Sequence, residues 1–259
     1  MIREITSATN PFVKQLRALV SSKKARQESG SFIIEGRRGI DTLLRHESGQ
    51  YTLETLVIAT DWKSAPRLPE NVDTVALPGH LFEKISDVHN AQGIIGIVHH
   101  AAVPFAVPET GNFLLLDNLR DPGNLGTLIR SAVGAGFSGV LLHGDCVEPF
   151  NPKAVRSTMG TFAFCNLWHV GDAEIEQLKK AGYELCVTTG SGGESLYESS
   201  FGPKTILVIG SEAHGVSDAL MQRADKLITI PLRPECESLN AAIAGSICMF
   251  RISEEKRPA

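Results

Sequence analysis

From about residue 113 onward the chain alternates short apolar runs with helical segments, and three of those runs end in glycine-punctuated loops. They are residues 114–130 (LLLDNLRDPGNLGTLIR), 206–216 (ILVIGSEAHGV) and 228–240 (ITIPLRPECESLN). Short apolar strands separated by helices imply a parallel sheet covered on both faces. Open sheets of this kind bind ligands outside the carboxyl ends of their strands. Three such junctions are therefore expected to form three walls of one site.

The pattern predicts strands at 113–117, 140–143, 163–168, 183–188, 205–209 and 226–230. Helices are expected over 123–135, 151–157, 173–181 and 217–223, and from Ser238 to about 253, with a glycine-rich turn at 190–193. Ahead of this lies a smaller α/β pattern. Asn10-Pro11 reads as a helix start, an N-cap followed by proline at the first helical position. Phe12, Leu16, Leu19 and Val20 supply an apolar stripe, with Lys14, Arg17, Lys23, Lys24 and Arg26 on the more polar faces. A strand is expected over 31–35, a helix from 37 to 45, strands at 55–59, 73–77 and 92–98, and a helix near 79–86. Residues 99–112 hold two prolines and no periodicity, which sets a boundary there: a first domain over 1–103, a linker over 104–111 and a second domain over 112–259.

Composition bounds the function classes. The 259 residues, 42% hydrophobic and 21% charged, are ordinary for a globular protein. There is no run of 18 apolar residues and the amino terminus lacks the apolar core of a signal peptide, so a cytoplasmic protein without membrane association is expected. Five cysteines with no Cys-x-x-Cys pair argue against a disulfide framework and a cysteine-based zinc site; no metal is expected. The net charge of −4 hides an asymmetry: residues 1–50 hold nine basic and five acidic residues, leaving 16 and 24 for the rest. A basic excess confined to one part hints at a nucleic-acid surface, although a solvated helix face would look the same.

In the first junction, 3.6-residue periodicity puts Gly123, Gly126 or Thr127, and Arg130 on one helix face. Bare backbone with a guanidinium beyond it suits an anionic group; a capped helix with packing glycines fits equally well. In the second, Gly210 allows close backbone approach and Glu212 brings a carboxylate able to accept hydrogen bonds from a ligand or from a cation such as Arg130. A turn that merely caps the next helix is the plainer account, and His214 has no visible partner that would make it a base. In the third, Ser238 is a natural N-cap. The small residues Ala241, Ala242, Ala244, Gly245 and Ser246 then permit something, a partner subunit among the candidates, to pack closely. No dinucleotide or triphosphate-binding glycine fingerprint occurs at any of the three.

Taken together, these motifs closely resemble those of the SpoU (TrmH-like) ribose methyltransferases of the SPOUT superfamily. Asp121-Pro-x-Asn124-x-Gly126-x-x-x-Arg130 resembles the first family motif, Gly210-x-Glu212-x-x-Gly215 the second, and Ile230-Pro231 with Ser238-Leu239-Asn240 the third. The resemblance, over roughly residues 112–252, implies an α/β domain with a mostly parallel sheet and a deep trefoil knot. It implies S-adenosylmethionine as cofactor, held by Thr188, Gly210, Ile230, Leu239 and Ser238, and a homodimer formed through this domain. It implies Arg130, Asn124, Glu212 and Asn240 as catalytic residues. Because a guanidinium is a poor proton acceptor, Arg130 is expected to stabilise a developing 2′-alkoxide. The amino-terminal part, with Ile5-Thr-Ser-x-x-Asn10-Pro and Phe32-Ile-Ile-Glu-Gly36, resembles the small ribosomal-protein-like RNA-binding domain of many such enzymes. Lys14, Arg17, Lys23, Lys24, Arg26, Arg37 and Arg38 are the expected RNA contacts.

The expected function is ribose 2′-O-methylation of RNA, with ribosomal RNA preferred to transfer RNA. A non-catalytic ribosome-assembly factor on the same fold has no need of the Asn124, Arg130, Glu212 and Asn240 set. A small-molecule enzyme on an ordinary doubly wound sheet lacks its usual fingerprints.

Overall fold

The computed structural model describes residues 2–46, 49–62, 72–86 and 92–254, so the last residues of the expected 112–259 domain lie outside it. The chain divides into two units: Met1–Ala102 with Glu148–Phe164, and Val103–Val147 with Cys165–Ala259.

The first unit is built on a five-stranded sheet of β1 (Ile2–Glu4), β2 (Ser31–Glu35), β3 (Tyr51–Ala59), β4 (Asp73–Leu77) and β5 (Ile94–His100), in the order β1-β4-β3-β5-β2. β1, β4 and β3 run parallel, while β5 is antiparallel to β3 and β2. Its helices are α1 (Pro11–Ser21), α2 (Lys23–Ser29), α3 (Arg37–Leu43) and α4 (Gly79–Phe82). As expected, the Asn10 side chain caps α1, accepting from the Phe12 N–H at 2.9 Å. Val13, Leu16 and Leu19 carry its buried face, with Phe12 and Val20 only half-buried beside it. They pack on Ile33, Val57, Val75 and Ile95.

The second unit holds a seven-stranded, all-parallel sheet: β6 (Phe113–Asp117), β7 (Gly139–His143), β8 (Asn166–Val170), β9 (Glu184–Thr188), β10 (Glu194–Ser195), β11 (Thr205–Ile209) and β12 (Lys226–Thr229). The order is β10-β12-β9-β11-β6-β7-β8. Its helices are α5 (Pro122–Gly134), α7 (Asp172–Lys180), α8 (Asp218–Gln222) and α9 (Ala241–Glu254), α6 (Pro152–Thr158) belonging to the first unit. Strand side chains alternate between faces. Phe113, Leu115, Val187, Ile206 and Val208 therefore meet Ile175, Leu178 and Leu220 of α7 and α8, and the opposite face is covered by α5 and α9. A Cβ on Gly245 would stand 2.5 Å from Leu128 and 3.3 Å from Ile209. The small residues of α9 thus admit α5 and β11 of the same chain.

Two expectations are corrected here. Residues 163–168 do not form one strand: a 3₁₀ turn over Thr161–Phe164 precedes β8. The reason is that Glu148–Phe164 packs in the first unit, where Phe150 stacks on Phe32 at 4.5 Å and Phe162 meets Phe32 edge-on. Arg26, expected to face RNA, is buried. Its guanidinium donates to the Leu19 and Val20 carbonyls at 2.6 and 3.0 Å and to both Glu148 oxygens at 3.0 and 2.7 Å. Every arm of the fork is occupied inside the protein. Lys14, Lys23, Lys24, Arg37 and Arg38 are exposed and Arg17 half-buried.

Removing one partner of a buried ion pair strands the other, typically at a cost of about 3–5 kcal/mol. Arg26→Ala should lose stability on that scale in chemical denaturation, and Arg26→Met combined with Glu148→Leu should recover most of it. Lys24→Ala, at an exposed position, should change stability by no more than about 0.5 kcal/mol.

Candidate functional site

Because all seven strands of the second unit are parallel, their carboxyl ends share one edge. Ile209 is in register with Leu116, Asp117 with His143, and Thr188 with Ile228. All three glycine-punctuated segments leave the sheet there.

The first opens α5. The Asp121 carboxylate caps the helix by accepting from the Asn124 N–H at 2.8 Å, with Pro122 at the first helical position. Gly126 is buried, and the face left in solvent carries Thr127, Arg130 and Gly134. The expected open glycine face is corrected to that extent. Arg130 makes no hydrogen bond or ion pair among the described residues, and it is not the cation that meets Glu212.

The second segment is a tight loop in which the Ser211 and Gly215 amides and carbonyls pair reciprocally at 2.9 Å. A Cβ on Gly210 would fall 2.0 Å from the Gly215 carbonyl carbon and 2.2 Å from the Val216 nitrogen, so only glycine fits. The loop presents Glu212. Its carboxylate accepts from Asn124 Nδ2 at 2.7 Å, from the Asp121 N–H at 3.4 Å and from the Arg120 N–H at 3.5 Å. Burial pushes the Glu212 carboxyl up, but the Asn124 side chain and the backbone N–H groups of Glu212, Arg120 and Asp121 outweigh it and leave it below its ordinary value.

The third segment ends in Asn240, whose Oδ1 accepts from the Ala242 and Ile243 N–H groups at 2.9 and 3.2 Å. Asn240 therefore caps α9, which begins at Ala241; Ser238 does not. Asn240 Nδ2 donates to Asn124 Oδ1 at 3.0 Å. Asn240, Asn124 and Glu212 thus form one chain of hydrogen bonds across all three segments.

The second and third segments, with Thr188, Thr189 and Gly190, wall a cavity of about 680 Å³; the first segment, expected as a third wall, contributes no described lining residue and only braces the other two through Asn124. Thr188, Gly210, Ile230, Ser238 and Leu239 all line the cavity, with Glu212 and Asn240, whereas Asn124 and Arg130 do not. Arg130 lies six residues beyond Asn124 on α5, roughly 9 Å along the axis at 1.5 Å per residue. Sequence reasoning missed Thr189, Gly190, Asp218 and Met221 as lining residues. The glycine-rich turn at 190–193 was the available signal for the first two. Among the described residues the lining carries three carboxylates, Glu212, Asp218 and Glu237, and no lysine or arginine. Such a cavity favours a cationic ligand over a phosphate-bearing one. No helix among the described residues is long and apolar enough to cross a membrane.

Fold and site define a class: an α/β protein whose ligand cavity is walled by loops at the carboxyl edge of a parallel sheet. The comparisons narrow it. Residues 111–250 match the model of the SpoU rRNA Methylase family, and residues 10–96 match the MRM3-like substrate binding domain. The chain belongs to the SpoU rRNA methylase family. It is 30% identical to the 23S rRNA (guanosine(2553)-2'-O)-methyltransferase RlmP of Bacillus subtilis, over 97% of this chain and 99% of that one. An AdoMet-bound rRNA methyltransferase from Sinorhizobium meliloti superposes with a TM-score of 0.85 at 30% identity, covering 99% of both chains. The SpoU methyltransferase AviRb from Streptomyces viridochromogenes, in complex with AdoMet, gives a TM-score of 0.82 at 25% identity over 95% of this chain and 98% of that one.

Gly210→Ala should keep the fold, seen by circular dichroism, but force the 210–215 loop apart and abolish ligand binding in the cavity by calorimetry. Glu212 has a folded-state pKa depressed below 4.5. Its contribution to stability is then fully present above the unfolded value and lost as pH falls through the lower folded value. The melting temperature of the wild type should accordingly fall more steeply below pH 4.5 than that of Glu212→Gln.

Proposed function

We propose that this protein transfers a methyl group from S-adenosylmethionine to a ribose 2′-hydroxyl of RNA, with ribosomal RNA as the substrate. The acidic cavity, walled mainly by the second and third motif segments and free of lysine and arginine among the described residues, carries this reading. Its charge suits a ligand with sulfonium and ammonium groups. Its volume is within the range of small-molecule sites. The names of RlmP and of the Sinorhizobium and Streptomyces enzymes point the same way.

When bound, the cofactor supplies an electrophilic methyl group; the protein supplies placement. Thr188, Gly210, Ile230, Ser238 and Leu239 would hold it, largely through backbone groups of the loops. Asn124, Glu212 and Asn240 fix the loops in register, so the walls need no reorganisation when ligand arrives. Arg130, exposed and unengaged, meets the acceptor ribose and stabilises the alkoxide as its proton leaves to water or a neighbouring phosphate. Lys14, Arg17, Lys23, Lys24, Arg37 and Arg38 contribute phosphate contacts in the first domain.

The same reading carries the deep trefoil knot, which the insertion of β12 between β10 and β9 supports. It carries the homodimer through the second domain. There Ile243 and Phe250, 53% and 44% exposed, lie seven residues apart on α9 and share a face that a second copy would cover. The cytoplasm is the compartment that goes with it.

A labelled-methyl assay on fractionated RNA decides the matter: transfer to ribosomal RNA is expected, transfer to transfer RNA alone would redirect the substrate, and cofactor binding without any transfer would leave a binding factor. Arg130→Ala should reduce transfer at least about a hundredfold, the scale of losing one oxyanion donor. Its cofactor affinity should stay within about threefold; equal loss of both would remove Arg130 from the chemistry.

A further inference from the structure

Asp117, the last residue of β6, is completely buried and lies outside the motif positions discussed so far. Its carboxylate is fully engaged. Oδ1 accepts from Asn118 Nδ2 at 2.8 Å and from His143 Nδ1 at 3.0 Å, and Oδ2 accepts from the Ser217 N–H at 2.7 Å. The three donors come from three different exits of the sheet: the turn after β6, the end of β7 and the loop after β11.

Ser217 occupies the N-cap position of α8, yet its hydroxyl makes no cap bond and has no hydrogen-bond partner among the described residues. Its carbonyl takes the Leu220 and Met221 N–H groups of α8, and its own N–H is tied back to the sheet by Asp117. Asn118 is left-handed, with φ of 56°, and its Oδ1 accepts from the Asp145 N–H at 2.9 Å. That turn aims the Arg120 and Asp121 N–H groups at Glu212. On the other side of the His143 ring, Nε2 stands 4.0 Å from Asp172 Oδ1, beyond hydrogen-bond reach, and Asp172 is itself paired with Arg223.

We infer that Asp117 is a positioning residue, the buried half of a reciprocal carboxylate clamp between the 117–124 and 210–217 segments. Glu212 belongs to the second segment and takes N–H groups from the first; Asp117 belongs to the first and takes an N–H from the second. The Glu212 half is open to solvent, while the Asp117 half is dry, where hydrogen bonds to a charged group are strongest. Ser211, Glu212, His214, Gly215 and Val216 line the cavity, so the clamp sets the position of one whole wall.

This inference rests on reading the cavity as the cofactor site. Asp117→Leu should raise the S-adenosylmethionine dissociation constant about ten- to a hundredfold by calorimetry, the worth of a hydrogen bond to a charged group. Asp117→Asn keeps a carbonyl facing Ser217 and should restore affinity to within about threefold. RNA affinity without cofactor should be unchanged in both. Should the leucine variant not fold, amide exchange in the wild type replaces it: the Ser217 N–H should exchange at least about tenfold more slowly than that of Ala213. A leucine variant that binds cofactor like the wild type, or a Ser217 amide as fast as Ala213, overturns the clamp. A wild type that binds no cofactor overturns the functional reading instead, and the exchange comparison then decides the clamp by itself.

Discussion

The amide of Asn124 is the interaction on which the site depends. Its NH₂ group donates to Glu212 and its oxygen accepts from Asn240, so one planar group reads the relative position of two loops at once. Only one orientation satisfies both contacts, because the carboxylate can only accept. The amide is itself placed by the helix cap, since the Asn124 N–H is bound to Asp121 and Pro122 starts the helix. A local rule of helix initiation is thereby turned into a long-range measurement across three loops. An aspartate at 124 would offer no donor to Glu212, and a glutamine would carry the amide one carbon too far.

The sequence carried the sheet well and the charge placement less well. In the second unit β6 and β11 fall where apolar run length puts them, because buried parallel strands need continuous apolar side chains and leave a plain signature. The cavity was legible through glycine: Gly210 is irreplaceable for steric reasons that a loop after a buried strand already suggests. Arg26 was not legible. Its partner Glu148 lies 122 residues away, and nothing in the local pattern of α2 distinguishes a buried guanidinium from Lys24 two residues earlier. The start of α9 was misread for a related reason. Ser238 and Asn240 are both good caps, and the choice falls to Asn240 through its bond to Asn124, a contact no local window contains.

Charge is divided between tasks. The described lining of the cavity holds no lysine or arginine, while most of the exposed lysines and arginines of the first 50 residues, Lys14, Lys23, Lys24, Arg37 and Arg38, lie on α1, α2 and α3. A near-neutral net charge of −4 is thus the sum of two opposed local requirements. The buried thiols stand outside both. Cys165, Cys186 and Cys248 are pushed up to about 12 by burial, so they remain protonated and unreactive.

The Glu148–Phe164 excursion bears on how such a protein can be inherited in parts. The family model covers residues 111–250 as one continuous stretch, yet that stretch includes the aromatic plug and the carboxylate that complete the core of the other unit. Cutting the gene after Ala102 would not separate two self-sufficient modules. It would leave the amino-terminal piece with Phe32 stripped of Phe150 and Phe162 and Arg26 without its counter-charge. A first unit transplanted onto this chain would therefore have to match its loop after β7 as well as the segment it replaces.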